Sequence, residues 1–275
     1  MLDLIFDKVR EKAPYVHNIT NYVTVNDCAN ILLACGASPI MADDLREVEE
    51  ITSLCNSLVI NIGTLNERTI PSMLAAGRKA KELKHPVILD PVGAGASKLR
   101  TETALQLLKE VSFTVIRGNA SEIKTLYLGA GKTKGVDVDE ADQITKDNLE
   151  ESVKVAKELS KITKAVIVIT GKIDIVAYED KAYIIHNGHP LMSRITGSGC
   201  MLSAIIGALC AAHPEQALEA AAAGVVAMGI CGELAYERIS EISGGTAAFR
   251  TYLIDYMSKL NSKQIKERAK VEVLY

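Results

Sequence analysis

The chain has 275 residues and a formal net charge of −3, enough length for a sizeable core and too little basic charge for a nucleic-acid or membrane-surface footprint. It is 48% hydrophobic but only 4% aromatic, with no tryptophan, so packing rests on Ile, Leu, Val and Ala. Cys28, Cys35, Cys55, Cys200, Cys210 and Cys231 form no C-x-x-C pair and mostly sit in apolar runs, which points to reduced thiols in a cytoplasmic protein. Asp3, Asp7, Lys8 and Arg10 stand where a signal peptide would be apolar. Once its glycine turn is removed, the uncharged stretch 195–214 is too short to span a bilayer. A soluble protein with no membrane or nucleic-acid partner is expected.

Leu2, Ile5, Phe6 and Val9 recur at helical spacing over residues 1–12, and Pro14 stops that helix. Residues 16–24 read as a strand end and loop. A helix at 28–33 is capped by Asn26 or Asp27 and closed by Gly36. A short strand at 37–41 precedes a helix with Glu47, Glu49 and Glu50 on its wet face. The continuous apolar run 57–63 fits a strand buried on both faces. Helix 67–83, strand 86–90, helix 101–109 and strand 113–116 follow, and residues 129–148 read as a charged, glycine-bearing surface excursion. Helix 149–159 leads to strand 165–169. Segments 175–178 and 182–185 flank Glu179-Asp180-Lys181 as a hairpin. Helix 216–236 is apolar nearly all round and therefore buried; helix 246–260 follows, and the tail to Tyr275 is expected to be loosely held. Alternating strands and helices predict an α/β fold with a largely parallel sheet, and no linker or repeat divides residues 1–275, which read as a single domain.

The stretch Arg194-Ile195-Thr196-Gly197-Ser198-Gly199-Cys200 runs directly into an uncharged helical sequence. Free amides at such a helix start form an anion site, and Cys200 in the first turn is expected to have its pKa lowered by the helix dipole. A glycine turn before a core helix with an inert cysteine is the other reading. Three more features fall at predicted strand ends, where open α/β sheets bind ligands: Asp90 with Gly93-Ala94-Gly95, Arg117-Gly118-Asn119 with Glu122, and Thr170-Gly171. Asp90 and Glu122 suit Mg²⁺ held through water beside a polyphosphate, and Arg117 suits phosphate oxygens. Singly, each has a structural reading: a turn, an ion-pair partner, a charge at a helix start, a loop. Jointly, on one sheet edge, they favour a site. Neither a G-x-x-x-x-G-K-[ST] loop nor a G-x-G-x-x-G after the first strand is present.

Val16-His17-Asn18-Ile19-Thr20-Asn21, Gly36-Ala37-Ser38-Pro39-Ile40-Met41-Ala42 and Asn61-Ile62-Gly63-Thr64-Leu65 occur in that order. They are followed by Ile88-Leu89-Asp90-Pro91-Val92-Gly93-Ala94-Gly95, Arg117-Gly118-Asn119-Ala120-Ser121-Glu122-Ile123, His186-Asn187-Gly188-His189 and Thr196-Gly197-Ser198-Gly199-Cys200. Together, over residues 14–205, this series resembles the hydroxyethylthiazole kinase family. The resemblance implies a three-layer αβα ribokinase-like fold with a mostly parallel central sheet and no lid domain. It implies a homotrimer with active sites between subunits, and ATP- and Mg²⁺-dependent phosphorylation of the hydroxyl of 4-methyl-5-(2-hydroxyethyl)thiazole in thiamine salvage. By matching position, Met41 and Gly197 are thiazole contacts. Arg117, Thr170, Asn21 and Gly199 fall on the ATP side, and Asp90 and Glu122 are the acidic pair associated with Mg²⁺. Cys200 takes the place of the aspartate base of ribokinase relatives. Ser198 departs from the Ala more usual in the motif.

Three other readings stay open at this point: a related kinase of hydroxymethylpyrimidine or pyridoxal, a cysteine hydrolase using Cys200 with His186 or His189 as base, and a nucleotide-binding module without turnover.

Overall fold

A computed structural model describes residues 2–129, 144–145 and 147–275, so most of the excursion expected at 129–148 lies outside the described residues. Helix α1 (Leu2–Lys12) turns Ile5, Phe6 and Val9 inward and precedes β1 (Tyr15–Ile19). Helix α2 (Val25–Cys35) begins with Thr24 at its N-cap, so Asn26 and Asp27 lie inside the first turn instead of capping it. Gly36 closes it at φ 97°, a left-handed conformation suited to glycine. The strand–helix alternation then runs through β2 (Ser38–Met41), α3 (Val48–Leu54), β3 (Ser57–Asn61), α4 (Thr69–Leu83), β4 (Val87–Asp90) and α5 (Lys98–Glu110).

Four elements depart from expectation: the fifth strand, the helix after it, the last helix and the last strand. The fifth strand, β5 (Val115–Asn119), carries Arg117 within the sheet, and a further helix, α6 (Ala120–Gly129), follows at once. Its start is a reciprocal cap: Glu122 N donates to Asn119 Oδ1 and Asn119 N donates to Glu122 Oε2, each at 2.8 Å. Helix α7 (Leu149–Thr163) and β6 (Val166–Thr170) lead to the expected hairpin, β7 (Asp174–Tyr178) and β8 (Lys181–Ile185). After a 3-10 turn at Pro190–Arg194 come α8 (Ser198–Ala212), α9 (Ala217–Glu241), α10 (Thr246–Lys259) and α11 (Ser262–Arg268). The tail is not loose: β9 (Val271–Leu274) pairs antiparallel with β8, from Ile185↔Val271 to Ala182↔Leu274.

Among the described residues, nine strands form one sheet in the order β2-β1-β3-β4-β5-β6-β7-β8-β9, parallel from β2 to β6 and antiparallel beyond. Period-two alternation feeds two cores. Val59, Ile88, Val115 and Val168 pack with α1, α2, α8, α9 and α10, while Leu58, Leu89, Ile116 and Ile167 pack with α4, α5, α6 and α7 on the other face. Helix α9 is long and apolar enough to cross a membrane, yet 83% of its apolar stretch is buried against protein, as a core helix. The chain leaves β1 outward to β2 and returns on β1's other side as β3. The strand order reverses there, and the crevice at the carboxyl ends is where such sheets take ligands.

Candidate active site at the carboxyl edge of the sheet

Four strands deliver polar side chains to that edge. Asn61 ends β3 and lies in register with Asp90 at the end of β4; Arg117 lies opposite Val168, and Thr170 ends β6 opposite Asn119. Asp90 is fully buried. Its Oδ2 accepts from Ser203 Oγ of α8 at 2.8 Å and from Asn61 Nδ2 at 2.9 Å, and Arg117 Nη1 lies 3.4 Å from both carboxylate oxygens. Arg117 Nη2 donates to Thr170 Oγ1 at 2.6 Å. Burial pushes the Asp90 carboxyl up; the Arg117 cation pulls it down, and the charge of Glu122 adds to the rise. Arg117 Nε is buried without a hydrogen-bond partner among the described residues.

Helix α8 begins over this row. Gly197 at φ 88° forms its N-cap, and the first bond of the helical ladder runs from Met201 N to Gly197 O at 2.8 Å. The amides of Ser198, Gly199 and Cys200 precede that ladder. Gly197 is suited to its position by conformation and space, Gly199 by space alone. A Cβ on Gly197 would lie 2.8 Å from Thr24 Cγ2, and one on Gly199 would lie 2.7 Å from Arg117 Cζ. The Arg117 guanidinium thus rests against the positive end of a helix dipole, an arrangement that an anion relieves. Asp90 supplies one negative charge. Phosphate is the ligand chemistry that suits the rest.

Cys200 is half-buried, and its Sγ accepts from Asn21 Nδ2 and Asn61 Nδ2, each at 3.3 Å. The expected lowering of its pKa is not found. Burial and the neighbouring Asp90 charge push the thiol up, and they outweigh Thr24, Asn21 and Arg117, which pull it down. The histidines needed for a cysteine hydrolase are engaged elsewhere: His186 Nε2 bonds Glu272 Oε1 at 3.0 Å, and His189 stacks on Tyr236 with ring centroids 3.6 Å apart. Among the described residues, neither histidine is a hydrogen-bond partner of Cys200.

Asn21, Asp90, Arg117, Thr170, Gly197, Gly199 and Cys200 therefore meet in one connected cluster. Glu122 joins it indirectly: its Oε1 accepts from Gly93 N at 2.8 Å, tying the loop after β4 to the start of α6. Its helix-start reading is thus correct, and both carboxylate oxygens already accept one amide each. Met41 ends the edge strand β2 opposite Asn18, is half-buried against the core on the α2 side and, among the described residues, is not joined to the cluster by a hydrogen bond. Among the described residues, no three histidine, cysteine or carboxylate side chains converge as a metal cage. Two neighbouring carboxylates fit Mg²⁺ held largely by water and phosphate. A cavity of about 330 Å³ opens beside the cluster, bounded by Tyr22, Gly63, Thr64, Leu65, Leu99 and Arg100.

Asn61 and Ser203 belong to the cluster although their residue types alone do not mark them. Asn61 carried a signal nonetheless, since it ends an apolar strand as Asp90 does. Ser203 sits within the apolar body of α8, and only the packing of α8 on β4 shows its partner.

The sheet order and its flanking helices define a fold class, the ribokinase-like α/β proteins. A ribokinase-like superfamily protein of Enterococcus faecalis shares the fold at a TM-score of 0.59 and 14% identity, covering 90% of this chain and 87% of that one. The structure of a hydroxyethylthiazole kinase from Pyrococcus horikoshii superposes with a TM-score of 0.89 at 36% identity, over 100% of this chain and 99% of the other. A Clostridium acetobutylicum hydroxyethylthiazole kinase is 61% identical over 272 residues, 99% of each chain, and a Clostridium tetani one is 51% identical over 264 residues, 96% of this chain and 94% of that one. The model of the hydroxyethylthiazole kinase family matches residues 6–263. The chain belongs to the hydroxyethylthiazole kinase family.

Proposed function

We propose that the chain transfers the γ-phosphoryl group of ATP to the hydroxyl of 4-methyl-5-(2-hydroxyethyl)thiazole, as a single kinase domain acting in cytoplasmic thiamine salvage. The observation that carries this reading is Arg117 lying against the N-terminal turn of α8 with Asp90 and Thr170 as its partners. Phosphoryl transfer through a loose transition state needs positioning and charge stabilisation more than covalent chemistry. The Ser198, Gly199 and Cys200 amides receive the transferred group, and Arg117 neutralises phosphate charge beside Thr170. Asn21 and Gly199 complete the phosphate side. Asp90 and Glu122 would hold Mg²⁺ through its waters; the ion supplies charge neutralisation for the polyphosphate. Met41 and Gly197 border the thiazole, with Gly197 in direct line with the first turn of α8.

A raised thiol makes Cys200 a hydrogen-bonding neighbour of the reacting alcohol more than a strong base, which such a transition state tolerates. A homotrimer with the site at a subunit boundary is part of the reading. Tyr22 and Val23, 77% and 58% exposed, stand immediately after Asn21 and offer apolar surface for such a boundary. ATP consumption measured with a panel containing the thiazole alcohol, hydroxymethylpyrimidine and pyridoxal tests the proposal. Turnover is expected with the thiazole alcohol; turnover only with another alcohol would replace the substrate, and none at saturating ATP would overturn the reading.

A further inference from the structure

We infer that Asn61 is a positioning residue that holds the sulfur of Cys200 and the carboxylate of Asp90 as one hydrogen-bonded unit. What that unit does rests on the kinase reading above; that it exists rests on geometry.

The amide's orientation is set by a main-chain donor. Gly63 N can only donate, and it meets Asn61 Oδ1 at 2.9 Å, so Nδ2 must face the other way. There it donates to Asp90 Oδ2 at 2.9 Å and to Cys200 Sγ at 3.3 Å. The second acceptor site of Oδ1 takes Asn21 Nδ2 at 3.1 Å. All of the hydrogen-bonding capacity of this buried amide is thereby used. Asn21 is fixed by the same logic: Thr24 N donates to its Oδ1 at 3.1 Å, which directs Nδ2 toward Asn61 and the sulfur.

Two N–H groups of fixed direction thus converge on Sγ, and the same Nδ2 that holds the sulfur also holds Asp90. Gly63 permits this, because a Cβ there would lie 2.9 Å from Asn61 Oδ1 and 3.0 Å from Asn21 Cβ. A residue serving the core alone needs no contact with two polar groups on different elements, 139 positions apart in the case of the thiol.

Asn61→Asp tests the inference with little change in volume, replacing the shared N–H with a carboxylate oxygen that faces both partners. Asn61→Ala removes the donor without repulsion and serves if the aspartate variant does not fold. In both, kcat with the thiazole alcohol is expected to fall about tenfold or more while KM for ATP changes by less than roughly threefold, since the lost contacts serve the reacting end. Iodoacetamide labelling at one fixed pH, mapped to the Cys200 peptide by mass spectrometry, needs no turnover. Labelling is expected to slow about threefold or more in both variants, because the sulfur loses one of its two donors. Wild-type labelling rates in both variants overturn the inference, whatever the kinetics. If the wild-type chain phosphorylates no alcohol, the kinase reading fails and labelling alone decides the positioning role.

Discussion

The guanidinium of Arg117 occupies the space that a methyl group on Gly199 would fill, 2.7 Å from Cζ to the would-be Cβ. The arginine tip is held there by Asp90 and Thr170, so it cannot swing away without losing both. Gly199→Ala is therefore expected to displace Arg117 and to lower kcat/KM for ATP by about tenfold to a hundredfold, as expected from loss of charge-assisted contacts. Initial-rate kinetics with varied ATP check this. An unchanged kcat/KM would mean that the close approach has no functional role.

Arg117 is also a structural partner, 12% exposed beside a fully buried Asp90. Removing one member of such a pair strands the other, at a cost of about 3–5 kcal/mol as an upper bound. Ser203 and Asn61 soften that cost because they continue to bind Asp90. Arg117→Ala is expected to unfold at lower urea, and Asp90→Asn added to it should recover much of the stability and none of the activity. Recovery of activity in the double variant would contradict the phosphate role of Arg117.

Asp174, at the start of β7, is half-buried as a residue, yet desolvation of its carboxyl pushes it up to about 7 from 3.8, against the opposing pull of Gly171 N and Arg117. Below about pH 4 both folded and unfolded states hold the proton, and the group costs nothing. Between about pH 4 and 7 the unfolded chain releases its proton first, so stability falls; above that the penalty stays constant. Asp174→Asn keeps an acceptor for Gly171 N, which donates to Oδ1 at 2.9 Å. The variant should melt higher than wild type at pH 8 and show no gain at pH 4. Equal melting temperatures at pH 8 would show that burial does not raise this carboxyl.

Cys200→Ala separates the thiol from a general base. A positioned base contributes about 10²–10⁴-fold, and a thiol raised by burial and by Asp90 is poorly suited to that role. The variant is expected to lose about tenfold or less in kcat, measured at saturating ATP and thiazole alcohol. A loss of a thousandfold would restore Cys200 as the base.

Much of this site was legible in the chain because apolar runs locate strand ends, and strand ends locate ligands. Asp90 and Thr170 follow from that rule, and the Gly197–Cys200 turn follows from the free amides of a helix start. The sequence puts Arg117 just beyond its strand, because a charged residue ends an apolar run on paper while Asp90 satisfies it inside the sheet. Helix α6 is not apparent from hydrophobic periodicity, although Asn119 and Glu122 carry the spacing of a reciprocal cap. Strand β9 is hidden because Lys270 and Glu272 make its alternation look like solvent-exposed tail, as suits an edge strand. The direction of the Cys200 shift was not readable locally at all: the helix start is, but the burial and the Asp90 charge that oppose it come from elsewhere in the fold.

The central claim is that the α8 turn and the β4–β5 row form one phosphoryl-transfer site. It is tested most directly by incubating wild type and Arg117→Ala with γ-labelled ATP, Mg²⁺ and the thiazole alcohol, then following label in the product. Wild type should label the alcohol, and the variant should do so at least about a hundredfold more slowly, as expected when a phosphate-clamping cation is lost. An unlabelled alcohol with wild type, or undiminished labelling by the variant, would contradict the account.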